Sequence, residues 1–216
     1  IMKIANVNSD KVKVIYSGCP KIDFEAVNES KKNISLPEGK YISAITSMLP
    51  HKNAVGIIES YKAYYKKSEN PMDMLVIGLE NTDSFDIDKE TASHIICHKF
   101  FEKDSDMQAA IAKSQLFLFL SKKEGFGFPP VEAMKLSVPV ITSGASSLEE
   151  IVTNNGEAAA LIVDPDDYEA VADKLLLLEN DQKLINELIV KGSKNANRFR
   201  WSIAVPKYIE TVFSRS

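Results

Sequence analysis

Leu116 to Ser143 reads LFLFLSKKEGFGFPPVEAMKLSVPVITS, and this stretch decides the fold. Leu116 to Leu120 is apolar at every position, as a strand covered on both faces of a parallel sheet requires. Lys122 to Pro130 is a loop rich in glycine and proline. A short helix is predicted from about Val131 to Leu136, followed by a second buried strand, Pro139 to Thr142.

The same alternation continues outward. Toward the N-terminus, Val12 to Tyr16 alternates like a strand, Glu29 to Leu36 reads as a surface loop, and Tyr41 to Thr46 reads as a strand. Ala54, Ile58, Tyr61 and Tyr65 recur at helical spacing within Asn53 to Lys66. Met74 to Leu79 and Ile95 to Lys99 read as strands, Ser84 to Ser93 as a short helix, and Asp104 to Lys113 as a capped helix. Toward the C-terminus, Ser147 to Thr153 reads as helix and Ala158 to Val163 as the last strand. Tyr168 to Leu178, Gln182 to Ala196 and Ile203 to Phe213 read as helices. Strands alternating with helices over short connections predict one α/β domain over residues 1–216, a doubly wound, Rossmann-like parallel sheet. Ligands of such sheets sit beyond the carboxyl ends of the strands. The loops after Thr46, Leu79, Lys99, Leu120 and Thr142 are therefore the ones that carry chemistry.

Composition narrows the function. The chain has 216 residues, 44% hydrophobic and 26% charged, with a formal charge of −4, which argues against a broadly basic nucleic-acid surface. Its longest apolar runs, such as Leu175 to Leu178, are too short to span a bilayer. Lys3, Asn6, Asn8 and Asp10 interrupt any apolar start, so no signal peptide and a cytoplasmic location are expected. Cys19 and Cys97 lack zinc spacing and read as reduced thiols. His94 and His98 flank a strand-like Ile95-Ile96-Cys97, which holds them apart, so no metal site is expected there.

The loop itself favours an anion. Gly125 and Gly127 remove side-chain bulk where the strand ends, which lets backbone amides approach a ligand. Pro129 and Pro130 open the helix, where a missing N–H costs little, and the helix dipole attracts phosphate. Glu124 precedes the glycines at the strand end and either meets sugar hydroxyls or is a solvated loop charge. Glu132, expected in the first helical turn, either complements the dipole or accepts hydrogen bonds from ribose. The stretch is no dinucleotide fingerprint, because it lacks the third glycine, and no P-loop, because it lacks Gly-Lys-Ser/Thr.

Taken whole, the stretch resembles the signature of glycosyltransferase family 4. Glu124, Gly125, Phe126, Gly127, Phe128 and Pro129 match it, as do Glu132 (eight residues after Glu124), Ala133, Met134, Pro139, Val140 and Ile141. Lys13 to Gly18 is similar to the family's linker strand, Ile45 to Asn53 to its first ligand loop, and Ile96 to Glu102 to its base-contacting strand end. Ser143 to Ile151 is similar to the next ligand-side loop, and Trp201 to Phe213 to the closing helix that crosses to the other domain. The resemblance implies the C-terminal, donor-binding half of a GT-B fold, with residues 1–11 as a linker from a missing N-terminal domain and 201–216 as the closing helix.

The function implied is retaining transfer of a hexosyl group from a nucleoside diphosphate sugar to an acceptor hydroxyl, without cofactor or metal. Lys52 and Glu124 become the catalytic residues. Ser47, Lys52, Glu124, Gly125, Phe126 and Gly127 line the sugar and diphosphate, Glu132 holds the ribose, and Phe100 or Phe101 lies against the base. The acceptor, and any peripheral membrane contact, falls to the missing domain, so this chain alone is expected to bind donor without transferring it. One departure stands out. The family usually carries Arg five residues before the lysine, and here that position is Ser47, which offers no guanidinium fork to two phosphates. Lys122, Lys123 and His51 are the nearby candidates to replace it. An inactive nucleotide-binding module, or a structural role with a vestigial pocket, are the competing readings.

Overall fold

Six short apolar runs pair side by side, and each presents alternate residues to opposite faces. They are β1 (Tyr41–Ile45), β2 (Asp73–Ile77), β3 (Ile95–His98), β4 (Leu116–Phe119), β5 (Val140–Ser143) and β8 (Leu161–Val163). The computed structural model describes residue 8, residues 12–34 and residues 36–213. Among these, the strands form one parallel sheet in the order β3-β2-β1-β4-β5-β8. The order reverses direction between β1 and β4, so the switch-point crevice of a doubly wound sheet opens there.

Helices cover both faces. On one face Tyr41, Leu75, Ile77, Phe117 and Phe119 meet α1 (Phe24–Asn33), α4 (Asp104–Lys113), α5 (Phe128–Lys135) and α6 (Leu148–Val152). On the other, Ile42, Ala44, Met74, Val76, Leu116 and Leu118 meet α2 (Ala54–Lys67), α7 (Tyr168–Asn180) and α8 (Gln182–Ala196). Ala54, Ile57, Ile58, Tyr61 and Tyr64 are the buried stripe of α2, a 3.6-residue period laid on a two-residue one. A short helix α3 (Lys89–Ser93), a hairpin of β6 (Thr153–Asn154) and β7 (Glu157–Ala158), and the last helix α9 (Trp201–Phe213) complete the chain.

Several expectations need correction. Val12 to Tyr16 is no strand, and residues 12–20 are irregular. Its alternation finds no sheet partner: Cys19 N donates instead to Phe199 O (3.0 Å), and Tyr16 sets its ring edge-on to Phe199 and its hydroxyl on Glu150 Oε1 (2.6 Å). Glu29 to Leu36 is no free loop, since its first residues belong to α1. That helix hides behind a thin apolar stripe, with Val27 and Ser30 buried, and starts where the Asp23 carboxylate accepts from the amides of Glu25 and Ala26. Ser84 to Ser93 is helical only over α3, which Asp88 caps. Ala158 to Val163 divides between β7 and β8, because Glu157 and Ala158 pair with Thr153 and Asn154. The α5 helix begins at Phe128, three residues before the expected Val131, because Gly127 turns the chain at φ +103° and both prolines fit the first turn. The closing helix starts at Trp201. The proposed linker, 1–11, lies outside the described residues apart from residue 8.

Candidate functional site

The switch point is built by the loops after β1 and β4, and main-chain pins hold both. After β1, Thr46 Oγ1 donates to Lys52 O (2.8 Å), and Lys52 N donates to Leu49 O (2.8 Å) across a 3-10 turn, Pro50–Lys52. Asn53 then takes the left-handed conformation, φ 58°, which asparagine tolerates better than most residues. Its side chain caps α2 at Gly56 N and donates to Leu120 O (3.2 Å) and Pro165 O (3.0 Å), tying three ligand-side loops together. Lys122 N donates to His51 O (2.8 Å), a further tie between the two loops.

After β4, Glu124 is clamped by the neighbouring loop. Its N–H donates to Ser146 Oγ (3.0 Å), and its carbonyl accepts from Ser146 Oγ (2.7 Å) and Ser147 Oγ (3.1 Å). Ser147 also donates to Phe126 O (2.9 Å). The two glycines have separate jobs. Gly127 is fixed by the fold: a Cβ there would lie 2.5 Å from Leu148 Cδ2, at a positive φ. A Cβ on Gly125 would meet nothing within 4 Å, so the protein's own packing does not require glycine there. The Phe126 ring turns inward against Phe128 (4.7 Å) and Phe199 (5.3 Å). Pro129 and Pro130 carry no N–H, so the first turn of α5 offers donors from Gly127 and Phe128.

The loops meet through charge. Lys52 Nζ lies 2.7 Å from Glu124 Oε1, with side chains 30% and 14% exposed. This pair is shielded enough to exceed an ordinary surface ion pair. Ser47, half-buried, reaches only its own loop, where its hydroxyl accepts from Leu49 N (3.4 Å). Of the cations expected to replace the arginine, Lys122 pairs with Asp166, and Lys123 and His51 are exposed.

Glu132 is the fifth residue of α5, not in its first turn, because the helix starts early. It is 8% exposed, and burial first, then the nearby Asp104 charge, push its carboxyl above the usual range, with Lys135 opposing. A dipole-neutralising surface glutamate would not be buried like this. Asp104 opens α4, directly after the turn that carries Phe100 and Phe101, so the expected ribose and base contacts are neighbours. Phe100 is 64% exposed, whereas Phe101 stacks flat on His98, with centroids 3.9 Å apart. Sequence reasoning missed His98, and it missed Asn53, Ser146 and Ser147 as pins. The Ser-Ser pair in the loop after β5 was the available signal. His94 is held apart from His98 by β3 and pairs with Asp73 (2.7 Å). Among the described residues no group of three or more His, Cys, Asp or Glu is arranged to hold a metal, and no helix is long and apolar enough to cross a membrane. A hollow of about 800 Å³ is lined by α8 and the β6–β7 hairpin, and no residue of the loops after β1 or β4 lines it.

The fold defines a class: a parallel sheet of order 3-2-1-4-5-8 with helices on both faces matches the C-terminal Rossmann-like domains of GT-B glycosyltransferases. Residues 27–195 match the family "Glycosyl transferases group 1", and the chain belongs to it. It is 31% identical over 178 residues to O-antigen chain mannosyltransferase RfbU of Salmonella typhimurium, covering 77% of this chain and 44% of that protein. It is 25% identical over 210 residues to O-antigen chain mannosyltransferase B of Escherichia coli, covering 93% and 54%. The fold superposes on the crystal structure of Anabaena HepE in complex with UDP-glucose with a TM-score of 0.74 at 18% identity, over 98% of this chain and 60% of that one. The chain thus spans about half the length of these curated relatives.

Proposed function

We propose that this chain is the donor-binding domain of a retaining, family 4 glycosyltransferase that moves a hexosyl group from a nucleoside diphosphate sugar to an acceptor hydroxyl. The observation that carries the reading is the 2.7 Å contact between Lys52 and Glu124, which brings a cation and a carboxylate from two loops to the switch point. A diphosphate seated there meets the Lys52 ammonium and the open end of α5, with Gly125 leaving room for its approach. As the bond to the sugar breaks, positive charge grows on the ring and negative charge on the diphosphate. Lys52 and the helix end stabilise the latter without a metal. Glu132 takes the ribose hydroxyls, and the Phe101–His98 stack borders the base. The acceptor belongs to a further domain of the whole protein. Two mannosyltransferase relatives make a mannosyl donor the first to test.

Ser47 supports a second reading, a module of the same fold that binds nucleotide without transfer. Calorimetry with UDP, GDP, ADP and their hexosyl derivatives tests the site. Lys52→Ala and Glu132→Ala are each expected to weaken binding by about 1–3 kcal/mol, the usual loss for a charge-assisted hydrogen bond. Unchanged affinity in both variants places the site elsewhere. Transfer assays on the whole protein separate the two readings: binding with neither transfer nor hydrolysis favours the module.

A further inference from the structure

Lys52 and Glu124 are held differently at the main chain and at the side chain. Both backbones are pinned, Lys52 by Thr46 and the 3-10 turn, Glu124 by Ser146 and Ser147. Among the described residues, the one hydrogen bond at either charged end is the one they make to each other. The ammonium that would neutralise a diphosphate is therefore already neutralised. A diphosphate must displace a carboxylate to reach it, and that carboxylate is one residue from Gly125, where the turn is open.

We propose that Glu124 is the resident counter-ion of Lys52, and that this pair makes the site select a sugar-loaded nucleoside diphosphate over the bare one. The inference rests on the donor-site reading above and assigns Glu124 a specificity role in it. When bare diphosphate binds, Lys52 changes partner and Glu124 is left as a shielded carboxylate beside phosphate oxygens, an unfavourable neighbour. When a sugar is attached, its hydroxyls lie within the swing of Glu124 and donate to the freed carboxylate. The lost ion pair is then replaced by charge-assisted hydrogen bonds. After transfer the sugar is gone, Glu124 loses its new donors, and its return to Lys52 expels the nucleoside diphosphate. One carboxylate thus favours loaded donor on entry and spent donor on exit.

The test is calorimetric titration of the chain with UDP, GDP and ADP, and with UDP-glucose, GDP-mannose and ADP-glucose. Wild-type protein is expected to prefer the loaded form of its nucleotide. In Glu124→Gln the bare diphosphate is expected to bind about tenfold tighter, the scale of one charge-assisted contact released, while the loaded form gains nothing or weakens. The preference then shrinks or inverts. Glu124→Ala is expected to shift the bare diphosphate in the same direction and guards against a misfolded glutamine variant. Glu169→Gln removes an exposed carboxylate on α7 that pairs with Lys67 and not with Lys52, and is expected to change nothing. If bare diphosphate binds wild type and Glu124→Gln alike, Glu124 is no counter-ion and this inference alone falls. Equal tightening by Glu169→Gln also overturns it, since general charge then explains the effect. If no nucleoside diphosphate binds any of the proteins, the donor-site reading fails and takes the inference with it.

Discussion

The switch-point loops and the closing helix α9 solve opposite problems. The loops are polar and tightly tied: Thr46, Asn53, Ser146 and Ser147 each spend a side chain on holding main chain. In α9 only Ala204 is buried, and Trp201, Val205, Tyr208, Ile209, Val212 and Phe213 are largely exposed. One region is preorganised within this chain. The other is a helix with Pro206 inside it, most of whose apolar side chains stay exposed. Preorganised polar geometry suits a charged ligand, because the ordering cost is met in folding and not at binding.

Four experiments can break or sharpen that contrast. Gly127→Val is expected to cost about 3 kcal/mol of stability, from a left-handed φ and a clash with Leu148. Gly125→Val is expected to leave the melting midpoint alone and to reduce nucleotide binding. Loss of stability in both would mean that the turn serves only the fold. Next in size, Lys52→Ala is expected to lower nucleotide affinity by about 2 kcal/mol and, by leaving the shielded Glu124 unpaired, to lower the melting midpoint modestly, measured by titration and scanning calorimetry.

The third effect depends on pH. Glu132 holds its proton to a higher pH in the folded protein than in the unfolded chain, mainly through burial, so stability falls as pH rises through that range. Glu132→Gln removes this cost. Its melting midpoint is expected to exceed wild type by roughly 2–4 °C at neutral pH, the shift that about 1 kcal/mol makes in a domain of this size. The gap should close toward about pH 3, where both states of the wild type are protonated. A glutamine variant less stable at neutral pH would show that the carboxylate is held by partners and not merely buried. Smallest of all, Tyr208→Ser and Val212→Ser on α9 are expected to stay within about 0.5 kcal/mol of wild type, as surface changes do. A large loss in either would mean that α9 is packed more firmly than its exposure indicates.

Much of this was legible in the sequence because the signals were local. The apolar run Leu116–Leu120 announced a central strand, and the acidic and glycine residues after it announced the loop. What stayed hidden was set by partners distant in sequence. Val12 to Tyr16 has strand alternation, yet no sheet edge receives it, and Phe199 and Glu150 hold it instead. Glu132 looked like a first-turn acid because two prolines masked where the helix begins. The Lys52–Glu124 pair spans 72 positions, so each residue could be singled out but their contact could not be read. His98 gave no hint that its ring would lie flat on Phe101.

Asn53 has one more consequence. It sits next to Lys52 with an inverted backbone, and its amide bridges two carbonyls from distant parts of the chain. The direction of the lysine is thereby governed by a keystone seated on the main chain of two other loops. Re-aiming the cation would not need a new neighbour for its ammonium. A change in how one asparagine is seated would swing Lys52 and leave Glu124 and its serine pins in place.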